Sequence, residues 1–310
     1  NSLGLQNKKT AELILEELNL WAERAVNGHF DHPYGRNWKY ICDLVNPTLA
    51  YLVATSPDEV ACTGSLTTNL HLMMTTFYRP TKQRYKILFE KNCFPSDMYA
   101  FTSQAKLHGL DPKDALLMMS PRPGEYTLRT EDILSTIHRE SIALIIFPGV
   151  KFYTGQVFPM KQITMVGHQY SCVVGFKLAP AVGNIVLELN SWKVDFDCWC
   201  SYKYLNAGPG AIAGIFLHED WFNDSTKIGG PNGRSRSVFF FRGLLNSGYF
   251  EIQLPSYCSS NVTNTGQNSV ARIESMRATP FRAVNSVARI ESMRATLFTA
   301  LEALAGYFRI

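Results

Sequence analysis

The run Cys198-Trp199-Cys200-Ser201-Tyr202-Lys203-Tyr204-Leu205-Asn206-Ala207-Gly208-Pro209-Gly210 carries an apolar, aromatic stretch into a lysine and then straight into small residues and glycines. A lysine so placed stands where the backbone leaves a packed environment. An ammonium that loses hydration there becomes a usable amine, because desolvation disfavours its charged form. Schiff-base lysines are activated in this way. The same letters in an arbitrary chain describe a surface lysine closing a strand, since lysine is seldom buried. Gly208, Gly210 and Gly214 make the exit from this run a place where backbone approaches something closely, and residues 211–218 read as another buried strand.

Outward from the lysine, short apolar runs alternate with helical ones. Residues 141–147 form an unbroken apolar stretch of the kind found in a central parallel strand. Residues 84–89, rich in apolar, aromatic and β-branched side chains, read as a strand that runs into Phe94-Pro95-Ser96-Asp97. Residues 10–26 carry Leu13, Leu18, Trp21 and Ala25 on one stripe, with acids early and Arg24 late, as an amphipathic helix does. Ser65-Leu66-Thr67-Thr68 suits a helix start, where free amides and hydroxyls receive an anion, although the same residues are ordinary N-caps. Strands alternating with helices predict an α/β fold: a three-layer αβα sandwich around a mostly parallel sheet.

Composition narrows the field. The 310 residues are 46% hydrophobic and 18% charged, ample for a core, and the net charge of +4 comes from scattered basic residues with no nucleic-acid or membrane footprint. Seven cysteines, odd in number and without metal-like spacing, read as reduced thiols of an intracellular, cytoplasmic protein, and no metal site is expected. No apolar run approaches the roughly 18 to 20 residues of a membrane span.

The run around Lys203 closely resembles the lysine segment of the kynureninases, pyridoxal-phosphate enzymes of fold-type I. The likeness continues in Ser2-Leu3-Gly4-Leu5, Gly28-His29, Leu66-Thr67, Phe94-Pro95-Ser96-Asp97 and Phe152-Tyr153-Thr154-Gly155-Gln156, and covers residues 1–219. The resemblance implies that Lys203 carries pyridoxal 5'-phosphate covalently and acts in catalysis. It places Leu66, Thr67, Phe94, Asp97, Tyr153, Tyr202 and the residue at 177 around the cofactor, and Ser2 and His29 on the substrate. The implied reaction is hydrolysis of the Cβ–Cγ bond of L-kynurenine or 3-hydroxykynurenine to alanine and an anthranilate, in tryptophan catabolism and NAD biosynthesis. A homodimer is implied as well.

Two positions break the pattern. Lys177 stands where the family has an aspartate that pairs with the pyridine nitrogen, and Pro180 stands at its histidine. A cation facing a pyridinium favours loss of the ring proton, each pKa unit being about 1.4 kcal/mol. The rival expectation is therefore an impaired or inactive homologue that keeps the fold. Residues 1–60 read as an N-terminal helical segment, 61–220 as the cofactor-binding domain and 221–310 as a divergent region, with the small C-terminal domain largely missing. In that region the twelve letters from Asn268 to Thr279 recur from Asn285 at an offset of 17 residues, and no repeat architecture is built from two copies.

Overall fold

Alternate side chains of the buried strands serve two different cores. In the 84–89 region Ile87 and Phe89 join one apolar cluster and Leu88 the other; in the 141–147 region Leu144 and Ile146 separate in the same way from Ile145 and Phe147. A period of two with both faces apolar demands cover on both sides of the sheet. In the computed structural model, which describes residues 2–222, helices supply that cover on each face.

In chain order the elements are α1 (Thr10–Arg24), α2 (Ile41–Val53), β1 (Val60–Cys62), α3 (Leu66–Phe77), β2 (Lys86–Glu90), α4 (Pro95–Leu107) and α5 (Pro112–Ala115). There follow β3 (Leu116–Met119), α6 (Thr130–Arg139), β4 (Ile142–Pro148), α7 (Met160–Gln169), β5 (Val173–Lys177), β6 (Phe196–Trp199) and β7 (Gly214–Leu217). The seven strands are ordered β1-β7-β6-β5-β4-β2-β3. Strands β3, β2, β4, β5 and β6 are mutually parallel, and β7 runs antiparallel to both β6 and β1. Strand β1 therefore points the same way as β6, and the carboxyl ends of β1, β2, β4, β5 and β6 share one edge. Ligands of open α/β sheets bind outside that edge.

One core gathers Leu88, Ile145, Val174 and Phe176 against Leu49 and Val53 of α2, Ile133 of α6 and Ile163 of α7. The other gathers Phe89, Ile146, Phe196 and Ile215 against Leu70, Met73 and Phe77 of α3 and Phe101 of α4. The three-layer expectation holds, as does a fully buried strand at 141–147: every residue of β4 is buried. Of the 211–218 run only Gly214–Leu217 forms a buried strand, antiparallel to β6, while Ile212 before it is exposed in the loop; a Cβ at Gly214 would meet the Trp199 indole at 2.4 Å, so glycine lets β7 lie against β6.

The helix expected at 10–26 forms, yet its stripe does not face a core. Leu13, Leu18 and Trp21 are 46%, 50% and 67% exposed, and only Leu20 is buried. What fixes the helix is polar: Glu17 accepts from Trp38 Nε1 at 2.8 Å and Arg36 Nε at 2.9 Å and pairs with His32 Nε2 at 3.1 Å. No helix among the described residues is long and apolar enough to cross a membrane. Asn1, the region from 223 onward and the internal duplication lie outside the described residues.

Candidate active site

Strand β6 ends at Trp199, and residues 200–213 loop out beyond the shared carboxyl edge before β7 begins. The loop is closed at its base by Ser201 Oγ donating to Ile212 O at 2.5 Å and Ala207 N donating to Ser201 O at 3.1 Å. Gly208 and Gly210 adopt φ of 92° and 74°, a left-handed backbone that favours glycine, and this turns the chain back toward the sheet. Lys203 sits on the loop half-buried. Burial raises the pKa of both the Tyr202 hydroxyl and the Cys200 thiol.

The N-terminal run meets this loop. Gly4 N donates to Tyr202 O at 2.8 Å, and a Cβ on Gly4 would lie 2.5 Å from Lys203 O and 1.8 Å from Asn206 Oδ1. Ser2, exposed, is two residues from that contact. His29 lies in the 3-10 turn Ala25–His29, with its ring edge-on to Trp38 at 5.8 Å and Phe30 at 6.1 Å.

The start of α3 lies at the same edge. Ser65 caps the helix, its Oγ accepting from Thr68 N at 3.2 Å, and Asn69 N makes the first helical bond back to Ser65 O. That leaves the Leu66 and Thr67 amides at the positive end of a twelve-residue helix, a seat suited to a phosphate. The start of α4 brings an aromatic rim: Phe94, 49% exposed, packs edge-on to Phe152 at 5.4 Å, and Phe152 to Tyr153 at 5.6 Å. Phe94-Pro95-Ser96-Asp97 is thus the start of a helix, with Pro95 at its first turn.

Beneath the rim lies a buried cluster of charge. Lys177, the last residue of β5, points inward and donates from Nζ to Asp97 Oδ2 at 2.6 Å, with Glu90 Oε1 at 3.7 Å and the Phe101 ring 5.4 Å away. Burial alone would push its ammonium toward neutrality; Glu90 and Asp97 outweigh that and hold its pKa above the ordinary lysine value. Burial raises the Glu90 carboxyl, against the opposing pull of Lys177 and Lys151. Lys151, in the loop after β4, donates to Lys91 O at 2.9 Å and Asn92 O at 3.2 Å and lies 4.0 Å from Glu90 Oε1. Its pKa is lowered, chiefly by burial. Asp97 Oδ1 and Glu90 Oε2 are buried without a hydrogen-bond partner.

Glu90 and Lys151 are members of this site that sequence reasoning missed. The signal was faint: a carboxylate closing an apolar strand, and a lysine just past another. Asp97, expected around the cofactor, holds Lys177 with one oxygen and keeps the other unpartnered. Two further carboxylates lock β5 to β6. Asp195 accepts from Val174 N at 2.7 Å and Trp221 Nε1 at 2.9 Å, and Asp197 from Phe176 N at 2.8 Å.

These residues suit pyridoxal phosphate in three respects: a helix start with two open amides after β1, a half-buried lysine on a glycine-turned loop after β6, and an aromatic rim beyond β2 and β4 at the same edge. The orphaned Asp97 Oδ1 adds a buried acceptor, while Lys177 brings a cation that any ring above it must tolerate.

The fold is that of the large domain of the fold-type I pyridoxal-phosphate enzymes. The apo structure of the cysteine desulfurase from Thermococcus onnurineus NA1 superposes with a TM-score of 0.59 at 16% identity, covering 79% of this chain and 63% of that one. A mutant of C-DES with glycine covalently linked to its PLP cofactor gives 0.58 at 18% identity, over 78% and 67%. No protein-family model matches the chain. Sequence relatives are much nearer. The kynureninase of Vanderwaltozyma polyspora is 51% identical over 232 residues, 74% of this chain and 51% of that protein. That of Flavobacterium psychrophilum is 51% identical over 229 residues (73% and 53%), and that of Nematostella vectensis 52% over 221 (71% and 47%). Over about three quarters of its length this chain is about half identical to these kynureninases, and it spans about half the length of the curated relatives it matches.

Proposed function

We propose that the chain acts as a kynureninase, binding pyridoxal phosphate through Lys203 and hydrolysing the Cβ–Cγ bond of L-kynurenine or 3-hydroxykynurenine. The observation that carries this reading is the placement of Lys203 on the loop beyond β6, at the same sheet edge as the open start of α3. Identity of about half to named kynureninases supports it.

The Leu66 and Thr67 amides, with Tyr153 and Tyr202, would hold the phosphate, and Phe94 would cover the ring. When bound, the cofactor supplies an electron sink for a carbanion, chemistry that no side chain provides. Lys203 would hold the cofactor and move protons at Nζ as it is released and regained. Ser2, carried next to the lysine loop by the Gly4–Tyr202 bond, and His29 would face the substrate. Water adds across the broken carbon–carbon bond, so the aryl carbonyl leaves as the anthranilate carboxylate and the other fragment as alanine.

A homodimer is supported by the apolar stripe of α1, which residues 2–222 leave exposed. A cytoplasmic setting is supported by cysteines that are all free among the described residues. The division at 1–60 and 61–220 sets the helical start apart from the sheet, although β1 begins at Val60 and α2 packs into the sheet's core. The inactive-homologue reading draws on one observation, the buried Lys177–Asp97 pair.

Borohydride treatment of the protein with pyridoxal phosphate, followed by peptide mass spectrometry, tests the cofactor assignment. The reading expects a bleached visible band and a reduced pyridoxyl adduct on Lys203. Adducts scattered over surface lysines would contradict it.

A further inference from the structure

The charges beneath the rim sum to zero before anything binds. Two ammonium-bearing side chains, Lys177 and Lys151, face two carboxyl-bearing ones, Glu90 and Asp97, so the groups are matched in number, and the four side chains are at most 10% exposed. The other titratable groups facing this cluster are the thiols of Cys93, ahead of α4, and Cys198, on β6. Burial raises both, Cys93 to about 11, and keeps them neutral. The cluster thus contains its own counter-charge, with Lys177 the resident cation.

A ring nitrogen brought to this floor meets two hydrogen-bonding options. A protonated nitrogen has the orphaned Asp97 Oδ1 as an acceptor. An unprotonated nitrogen has the Lys177 ammonium as a donor: it carries three N–H groups, and its one hydrogen bond goes to Asp97 Oδ2. Charge decides between them. A pyridinium would add a further positive charge to a neutral, dehydrated cluster, and an uncompensated buried charge is expensive. A bare pyridine adds none and offers a lone pair to a donor already in place.

Resting on the cofactor assignment above, we propose that Lys177, held by Asp97 and Glu90, makes this crevice take pyridoxal phosphate with its ring nitrogen unprotonated. Lys177 is then a determinant of the cofactor's protonation state, in place of a carboxylate that would draw a proton onto the ring.

The test is nitrogen-15 NMR of the protein loaded with pyridoxal phosphate labelled at the ring nitrogen, read near neutral pH. The expected signal is the downfield resonance of a bare pyridine nitrogen, with Lys177→Met shifting it upfield to the pyridinium position. A pyridinium signal from the unaltered protein overturns the proposal, and so does a Lys177→Met signal that stays at the bare position. If Lys177→Met does not fold, the unaltered protein decides alone. No bound cofactor at all overturns the cofactor assignment and this inference together, whereas bound cofactor with a protonated ring overturns this inference only.

Discussion

Lys177 Nζ lies 2.6 Å from Asp97 Oδ2, and the two side chains, 80 residues apart in sequence, are 5% and 4% exposed. The pair closes the floor of the crevice between β5 and α4. A pair so dehydrated adds little net stability when intact and much instability when halved.

Asp97→Leu is therefore expected to destabilise the protein by about 3 to 5 kcal/mol, because it leaves Lys177 facing only Glu90. Replacing both members, Lys177→Met with Asp97→Leu, should recover most of that loss. Urea unfolding of the two singles and the double gives the coupling energy directly. Additive losses would show that the pair does not act as a unit.

Asp197 makes a second, pH-dependent prediction. Its carboxyl is fully buried in β6, with one oxygen accepting from Phe176 N and the other unpartnered, and burial raises its pKa well above the ordinary value. A carboxyl raised on folding contributes stability that is present below its unfolded pKa of about 3.9 and lost as pH rises through the folded value. Asp197→Asn keeps the acceptor and removes the titration. Its melting temperature should match the parent near pH 4 and exceed it at pH 8. A parallel pair of stability–pH curves would rule this out.

Ser65→Ala removes the cap of α3. The expected loss is about 1 kcal/mol of stability, with a weaker hold on pyridoxal phosphate in equilibrium dialysis, since the freed Thr68 amide no longer orders the helix start. Unchanged cofactor affinity would separate the cap from the phosphate seat.

Gly4→Val puts a branched side chain against Lys203 O and Asn206 Oδ1. It touches neither core, so thermal stability should move within about 0.5 kcal/mol. Kynurenine turnover should fall by tenfold or more as the N-terminal run lifts off the lysine loop. Full activity would mean that the Gly4–Tyr202 contact does not serve the site.

Much of this architecture is legible in the letters. Residues 141–147 announce a strand buried on both faces, Ser65-Leu66-Thr67 a helix start, and Gly208 and Gly210 a turn, because each depends on local chemistry. What escapes is set by distant meetings. Nothing near Lys177 says that Asp97 returns to neutralise it, or that Glu90 and Lys151 complete the cluster. The stripe of α1 reads as core-facing by its period, yet period alone does not name what covers it. Strand β7 is legible as a strand but not as antiparallel, since direction depends on how the loop beyond Lys203 turns the chain.

The central claim is kynurenine cleavage, and the direct measurement is anthranilate fluorescence from the protein incubated with pyridoxal phosphate and L-kynurenine. The account predicts anthranilate and alanine in equal amounts, abolished by Lys203→Ala. No anthranilate from protein whose cofactor borohydride fixes on Lys203 would contradict it and leave a cofactor-holding homologue without turnover.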